Sequence, residues 1–297
     1  MPAPRYAVFG HPVAHSRSPA IHAAFAAQAG IALTYERIDA PPDGFAEALA
    51  HFGREGGRGA NVTLPHKAAA RLLCDTLSER AERAGAVNTL VRVDAGGTQA
   101  RWHGDNTDGI GLVRALRDRG GIALAGMRVL LLGAGGAGAG VAPALLDAGV
   151  GMLAVANRDA ARARALVAHL ADPPARALDV ASLPHAGMAN SADATGAGVG
   201  DAFDIVINAT SAARTGAAPW AVLGHCLSPE AVAVDLGYGD PARPFLDFAA
   251  GHGVARRVDG LGMLVEQAAE SFRLWHGVMP DTAPVHALLR EHLASAG

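Results

Sequence analysis

The chain has 297 residues, half of them hydrophobic, with 25 Lys and Arg against 28 Asp and Glu and a net charge of −3. That length allows one large or two moderate domains with a sizeable core, and the balanced charge, without a basic stripe, excludes nucleic acid and anionic membrane surfaces as expected partners. Two cysteines without Cys-x-x-Cys spacing, no apolar run of membrane-spanning length and a start, Met1-Pro2-Ala3-Pro4-Arg5-Tyr6, without an apolar signal core predict a soluble, cytoplasmic protein with free thiols.

The first third alternates strand and helix. A strand is expected at 5–9, then a helix at 20–29 with Ser18 as N-cap and Pro19 in its first turn, a strand at 33–38 and a helix at 45–52. A strand at 59–63 runs into the polar cluster Asn61-Val62-Thr63-Leu64-Pro65-His66-Lys67; Pro65 breaks it and a helix follows through Leu73. Polar side chains at the carboxyl end of an α/β strand are where ligands bind. A charged helix at 78–84 leads through Gly85-Ala86-Val87-Asn88-Thr89 into strands at 90–93 and 99–103. Gly104-Asp105-Asn106-Thr107-Asp108-Gly109 then enters a helix at 110–119.

The middle of the chain changes character. An apolar strand at 129–132 meets glycines at 133, 135, 136 and 138; a helix-forming run at 141–147 ends at Gly149, and a second strand occupies 152–156. Strand, glycine-rich turn, helix and strand form the context that a dinucleotide fingerprint requires. Glycine leaves no Cβ between backbone and ligand, so a pyrophosphate can sit on the N–H groups of the helix N-terminus. An NAD site places an acid at the end of the second strand for the ribose 2′-OH. Here that place holds Asn157-Arg158, with Arg162 one turn on. Guanidinium groups suit a 2′-phosphate, so NADP is favoured over NAD. Asp159 argues the other way, and Arg158, Arg162 and Arg164 would serve equally as a solvated helix face.

A helix is expected at 160–170 and a short strand near Ala177 within an otherwise irregular stretch at 172–200. Strands follow at 203–207, ending in Asn208-Ala209-Thr210-Ser211, at 231–235, ending in Leu236-Gly237-Tyr238, and at 255–258. Helices are expected at 245–251 and 261–276, the last carrying Gln267. Thirteen histidines include no His-x-x-x-His pair with a carboxylate beside it, and no metal site is expected.

Ser16, Ser18, Asn61, Thr63 and Asn88 in the predicted turns of the first part, with Gln267 on the last expected helix, are neutral donors and acceptors, and Lys67 and Asp108 are the charged pair among them. Such a set suits a polyhydroxylated ligand, whose desolvated hydroxyls each need a donor and an acceptor. The serines would equally serve as caps and the asparagines as turn residues.

Eight segments, in order over nearly the full chain, resemble the shikimate dehydrogenase family: 10–19, 61–67, 85–89, 106–108, 133–137, Asn157-Arg158, 208–211 and Gly262-Met263-Leu264-Val265-Glu266-Gln267. The resemblance implies an α/β protein of two domains: an N-terminal α/β substrate domain, 1–107 with 260–297, and a Rossmann-like doubly wound NADP domain, 108–259. It implies NADPH-dependent reduction of 3-dehydroshikimate to shikimate in chorismate and aromatic amino-acid biosynthesis, by a monomer or homodimer. Lys67 and Asp108 match the catalytic pair. Ser16, Ser18, Thr63, Asn88, Asp108, Tyr238 and Gln267 match substrate contacts. Gly133, Ala134, Gly135, Gly136, Ala137, Asn157, Arg158, Arg162, Leu236 and Gly260 match the cofactor site. Asp159 stands where a threonine is common and Arg243 where another is frequent. Two other readings remain at this point: an NAD(P)-dependent quinate/shikimate dehydrogenase, and a non-catalytic nucleotide sensor of the same fold.

Overall fold

The computed structural model describes residues 3–93, 100–179, 203–210, 220 and 226–295. Two units divide the chain, Met1–Ala115 with Gly262–Gly297 and Leu116–Leu261. No helix among the described residues is long and apolar enough to cross a membrane.

The first unit holds β1 (Arg5–Gly10), α1 (Ser18–Ala29), β2 (Thr34–Asp39), α2 (Phe45–Arg54), β3 (Gly57–Val62), α3 (Lys67–Leu72), β4 (Thr76–Leu77), α4 (Glu79–Ala84), β5 (Thr89–Arg92), β6 (Trp102–Asp105) and α5 (Asp108–Arg114), completed by α9 (Leu261–His276) and α10 (Thr282–Ser295). Its six strands run in the order β2-β1-β3-β5-β6-β4. β1 pairs parallel with β2 and β3, whereas β5 pairs antiparallel with β3 and β6. One core gathers Phe9, Phe45, Phe52, Leu90 and Trp102, with Phe9 edge-on to Phe45 and Phe52. Each such ring contributes about 1.5–3 kcal/mol by leaving water. α9 lies close over β3 because Gly59 has no side chain: a Cβ there would run into the Trp275 ring, whose Nε1 donates to the Leu90 carbonyl at 3.0 Å.

Most expected elements form within a few residues of their expected ends. The N-cap of α1 is a correction. The helix begins at Ser18, Arg17 occupies the cap position, and no side chain caps it; instead the Ser18 N–H donates to Ser16 Oγ at 3.3 Å. Ser78 does cap α4, accepting from the Ala81 N–H. The two-residue β4 and the helix α10 are not expected from the sequence. The helix expected at 110–119 starts at Asp108 and widens into a π-turn over Ala115–Arg119.

The division of the chain follows that change of pitch, so the boundary expected at 107/108 falls at 115/116, and that expected at 259/260 falls at 261/262. The physical reason is an ion cluster. Glu270 on α9 is almost fully buried and accepts from Arg114 of α5 at 3.1 Å, Arg80 of α4 at 3.1 Å and Arg273 at 2.7 Å, which fastens α5 into the first unit. Arg80 also pairs with the buried Asp105.

The second unit contains β7 (Arg128–Leu132), α6 (Gly136–Asp147), β8 (Met152–Asn157), α7 (Ala160–Leu170), β9 (Ala175–Asp179), β10 (Phe203–Asn208), β11 (Leu227–Asp235), α8 (Arg243–Gly251) and β12 (Arg256–Val258). All its strands pair in parallel, in the order β12-β11-β10-β7-β8-β9. This is the doubly wound order of a dinucleotide-binding sheet, with its switch point beside β7. Val129, Leu130 and Leu131 are fully buried, as parallel strands covered on both faces require. β11 is longer than expected: a register shift between Phe203 and Ile205 lets the strand continue through Pro229 as a bulge. Of the irregular stretch expected at 172–200, residues 180–200 lie outside the described residues, as do Ser211, Ala213 and Arg214.

Burial alone would raise the Glu270 carboxyl, but the Arg273 hydrogen bond and the Arg80 and Arg114 charges outweigh it and hold it at about 2, below its ordinary 4.5. A lowered carboxyl stabilises the fold above its unfolded value, and that contribution is lost as pH falls through the folded one. Glu270→Gln is therefore expected to remove about 3 kcal/mol at pH 7. The deficit should shrink as the pH drops from about 4.5 toward 2, read by urea unfolding at pH 7 and at the lowest pH where the protein stays folded.

Candidate active site and dinucleotide site

In the first unit the ends of β3, β5 and β6 and the starts of α3 and α5 bring the expected charged pair together. Lys67 is the first residue of α3 and Asp108 the first of α5. Lys67 Nζ donates to Asp108 Oδ2 at 2.5 Å, with both side chains nearly out of solvent. The other carboxylate oxygen, Oδ1, accepts from Asn88 Nδ2 at 2.8 Å. Asn88 Oδ1 accepts from the Thr107 N–H at 2.8 Å and from Thr89 Oγ1 at 2.9 Å. Gln267, from α9, accepts from Asn88 Nδ2 at 3.3 Å and donates to the Leu264 carbonyl. Gly111 makes this approach possible, since a Cβ there would run into the Gln267 backbone.

A second tier supports the pair. Asn61 Nδ2 donates to Ser271 Oγ at 3.0 Å and to Thr89 Oγ1 at 3.3 Å, while Asn61 Oδ1 accepts from Tyr35 Oη at 2.7 Å and lies 3.2 Å from His22 Nε2. His22 stacks on Tyr35; burial pushes its imidazole down to about 3 and the Tyr35 phenol well up, so both stay neutral. Asn61 is expected from the sequence, among the turn residues, whereas Tyr35, His22, Thr107 and Ser271 are not. One signal for them exists: Ser271 follows Gln267 by one helical turn and therefore shares its face.

Ser16 is half-buried and Ser18 buried. Ser16 Oγ donates to Ser18 Oγ at 3.2 Å, and the Ser16 carbonyl accepts from Arg37 at 2.9 and 2.7 Å, which fixes this turn. Thr63 follows β3; its N–H donates to the Phe9 carbonyl and its methyl packs where a Cβ of Gly10 would be.

The second unit presents the glycine turn. Gly133 has φ 105° and fits against Ala209 and Thr210, and a Cβ on Gly138 would run into the Gly133 carbonyl. Gly135 is the N-cap of α6, with no side-chain cap and open space around its Cα. The helix N-terminus, through Gly136 and Ala137, is thus open to an anion. Ala134 N–H donates to Asn157 Oδ1 at 3.2 Å, and Asn157 Nδ2 to the Asp159 carbonyl at 2.9 Å. Arg158 is exposed and makes no ion pair among the described residues; Arg162 is exposed one turn along. At the ends of β10 and β11, buried Asp235 accepts from Asn208 Nδ2 and from the Gly237 N–H, both at 2.7 Å. Burial, against these two bonds, pushes its carboxyl up to about 6. Leu236, Gly237 and Tyr238 follow it. Gly260 donates to the Gly237 carbonyl at 2.7 Å and fits only because it lacks a Cβ beside Leu236.

A doubly wound parallel sheet with a bare glycine turn, in a chain whose other unit buries a lysine–aspartate pair under amides and hydroxyls, defines a two-domain nicotinamide-dependent dehydrogenase. Residues 8–90 match the shikimate dehydrogenase substrate binding domain, residues 115–217 the shikimate / quinate 5-dehydrogenase family, and residues 260–290 the shikimate 5′-dehydrogenase C-terminal domain. The shikimate dehydrogenase (NADP(+)) of Xanthomonas euvesicatoria is 54% identical over 98% of this chain and 96% of its own. The crystal structure of shikimate 5-dehydrogenase from Thermus thermophilus, in complex with NADP(H) and shikimate, has a TM-score of 0.78 at 36% identity, over 97% of this chain and 99% of that one. The quinate dehydrogenase of Corynebacterium glutamicum, in complex with NAD, has a TM-score of 0.76 at 28% identity, over 97% and 99%. The chain belongs to the shikimate dehydrogenase family.

Gly138→Ala would push the Gly133 carbonyl out of the turn. Dinucleotide affinity is expected to fall at least about tenfold with the first unit unaffected, measured by calorimetric titration beside a circular dichroism spectrum.

Proposed function

We propose that this chain reduces 3-dehydroshikimate to shikimate with NADPH. The observation that carries the reading is the buried Lys67–Asp108 pair, braced by Asn88 and Gln267. Bound NADPH supplies a hydride. Gly133, Ala134, Gly135, Gly136 and Ala137 would hold its pyrophosphate, Arg158 and Arg162 its 2′-phosphate, and Leu236 and Gly260 would line the nicotinamide; the bare helix end at Gly135 fits such an anion.

The protein's own residues manage charge and orientation. As the ketone accepts the hydride, negative charge grows on its oxygen, and the Lys67 ammonium meets that charge and delivers the proton. Asp108 aims the amine and, with Asn88 and Gln267, offers acceptors and donors to ring hydroxyls. Ser16, Ser18, Thr63 and Tyr238 complete the substrate contacts in this reading. Enclosure in protein strengthens each of these interactions relative to water.

The NAD-dependent alternative would use Asp159 as a ribose ligand; the NADP reading is favoured because that carboxylate already caps α7 through the Ala161 N–H. A sensor has no need of a buried ion pair, whose desolvation is costly. The enzyme acts on small molecules, as a monomer or homodimer, without nucleic acid or membrane. A cytoplasmic location accords with the free thiols of Cys74 and Cys226.

Lys67→Ala is expected to lower kcat by about 10²–10⁴-fold with KM changed only a few-fold, the signature of a contact made in the transition state. A folded variant with unchanged kcat would reject the role. Ser16→Ala is expected to raise KM for dehydroshikimate and leave kcat within about threefold, since a lost uniform-binding contact appears in KM; steady-state kinetics with NADPH absorbance reads both.

A further inference from the structure

Asp159 is the one acid in the turn after β8, among Arg158, Arg162 and Arg164. It sits at the N-cap of α7 in extended backbone, and Oδ1 accepts the Ala161 N–H at 3.0 Å. Oδ2 lies 3.6 Å from Arg162 Nε, and the Asp159 carbonyl accepts from Asn157, which in turn holds the glycine turn through Ala134. Each oxygen of Asp159 thus has a partner within the protein. The position at the strand end, where an acid would reach a ribose hydroxyl, belongs to Asn157, and its amide is spent on the two turns.

From this geometry we infer that Asp159 is a specificity-determining residue that acts as a brake on the 2′-phosphate: it draws Arg162 to itself and cancels the positive end of α7. The inference rests on the NADP reading given above. Two physical effects act in the same direction. The first-turn N–H groups of a helix carry about half a positive charge, and a carboxylate cap neutralises it where a hydroxyl cap would not. An Arg162 engaged by a neighbouring carboxylate must also exchange that partner for the phosphate. A serine satisfies the same Ala161 N–H without the charge, so cap and brake are separable.

The test is calorimetric titration of the full-length, unloaded protein with NADP+ and with NAD+, for the parent chain and for Asp159→Ser and Asp159→Ala. Asp159→Ser is expected to bind NADP+ about threefold to tenfold more tightly with NAD+ within about twofold. The gain should shrink between low and high salt, because these charges are exposed and screened. Asp159→Ala should show the same selectivity with a lower Tm from the lost cap. Unchanged or weaker NADP+ binding in a folded Asp159→Ser, while the parent binds NADP+, overturns the brake alone. A loss of NAD+ affinity by tenfold overturns it too, since the carboxylate would then be a ribose ligand. A parent chain that binds neither nucleotide overturns both the brake and the NADP reading.

Discussion

An ammonium and a carboxylate held 2.5 Å apart and nearly out of water set the terms for the whole first unit. Two charges withdrawn from solvent lose hydration worth several kcal/mol each, and their mutual attraction compensates only when the remaining lone pairs and protons find partners. That constraint explains the density of polar groups around Asp108. Asn88 takes its second oxygen, Thr107 and Thr89 fix Asn88, and Asn61 and Ser271 fix those hydroxyls in turn. A network so densely bonded is rigid, and rigidity is what a site that must meet a developing charge requires.

The same logic reaches the outer shell of the unit. Glu270 gathers three arginines from three helices, and Asp105, next to the Asn106-Thr107-Asp108 run, shares Arg80 with it. The carboxylates are buried and the guanidinium groups are partly wet, an arrangement in which the acid is stabilised in its charged form. Because α5 carries both Asp108 and Arg114, the ion cluster and the site are two ends of one helix. α9 likewise carries Gln267, Glu270 and Ser271 on adjacent turns. α9 is therefore part of the site's frame, although Gln267 and Asp108 are far apart along the chain.

In the second unit the organising constraint is close approach of backbone to backbone. Gly133, Gly138 and Gly260 sit where a Cβ would meet a carbonyl, and the strand ends are laced by side chains that act on main-chain groups: Asn157 across the glycine turn, Asp235 to the Gly237 N–H. Asn157 thus has a structural job at the position from which nucleotide preference is usually read, and Asp159 has one beside it. Substitutions at either residue act on turn geometry as well as on charge.

Local pattern is enough for much of this protein. The apolar run at 129–132 with its glycines, the Pro19 and Gly149 punctuation, and the polar clusters at the ends of predicted strands are legible because backbone sterics and hydrophobic periodicity act over a few residues. They locate the glycine turn, and they put Lys67 and Asp108 at strand-to-helix turns, the place where α/β folds bind ligands. What chain order cannot carry is long-range pairing. The single antiparallel strand β5 within an otherwise parallel sheet, the Tyr35–Asn61–Ser271 tier, and the boundary at Ala115 rather than after Thr107 all depend on residues distant in sequence meeting in space; the union of α9 with the first unit is of the same kind, and family resemblance rather than local pattern anticipates it. Asp159 shows the difference most simply. As a letter in the sequence it could be a ribose ligand or a helix cap, and only the fold shows its carboxylate accepting the Ala161 N–H at the start of α7.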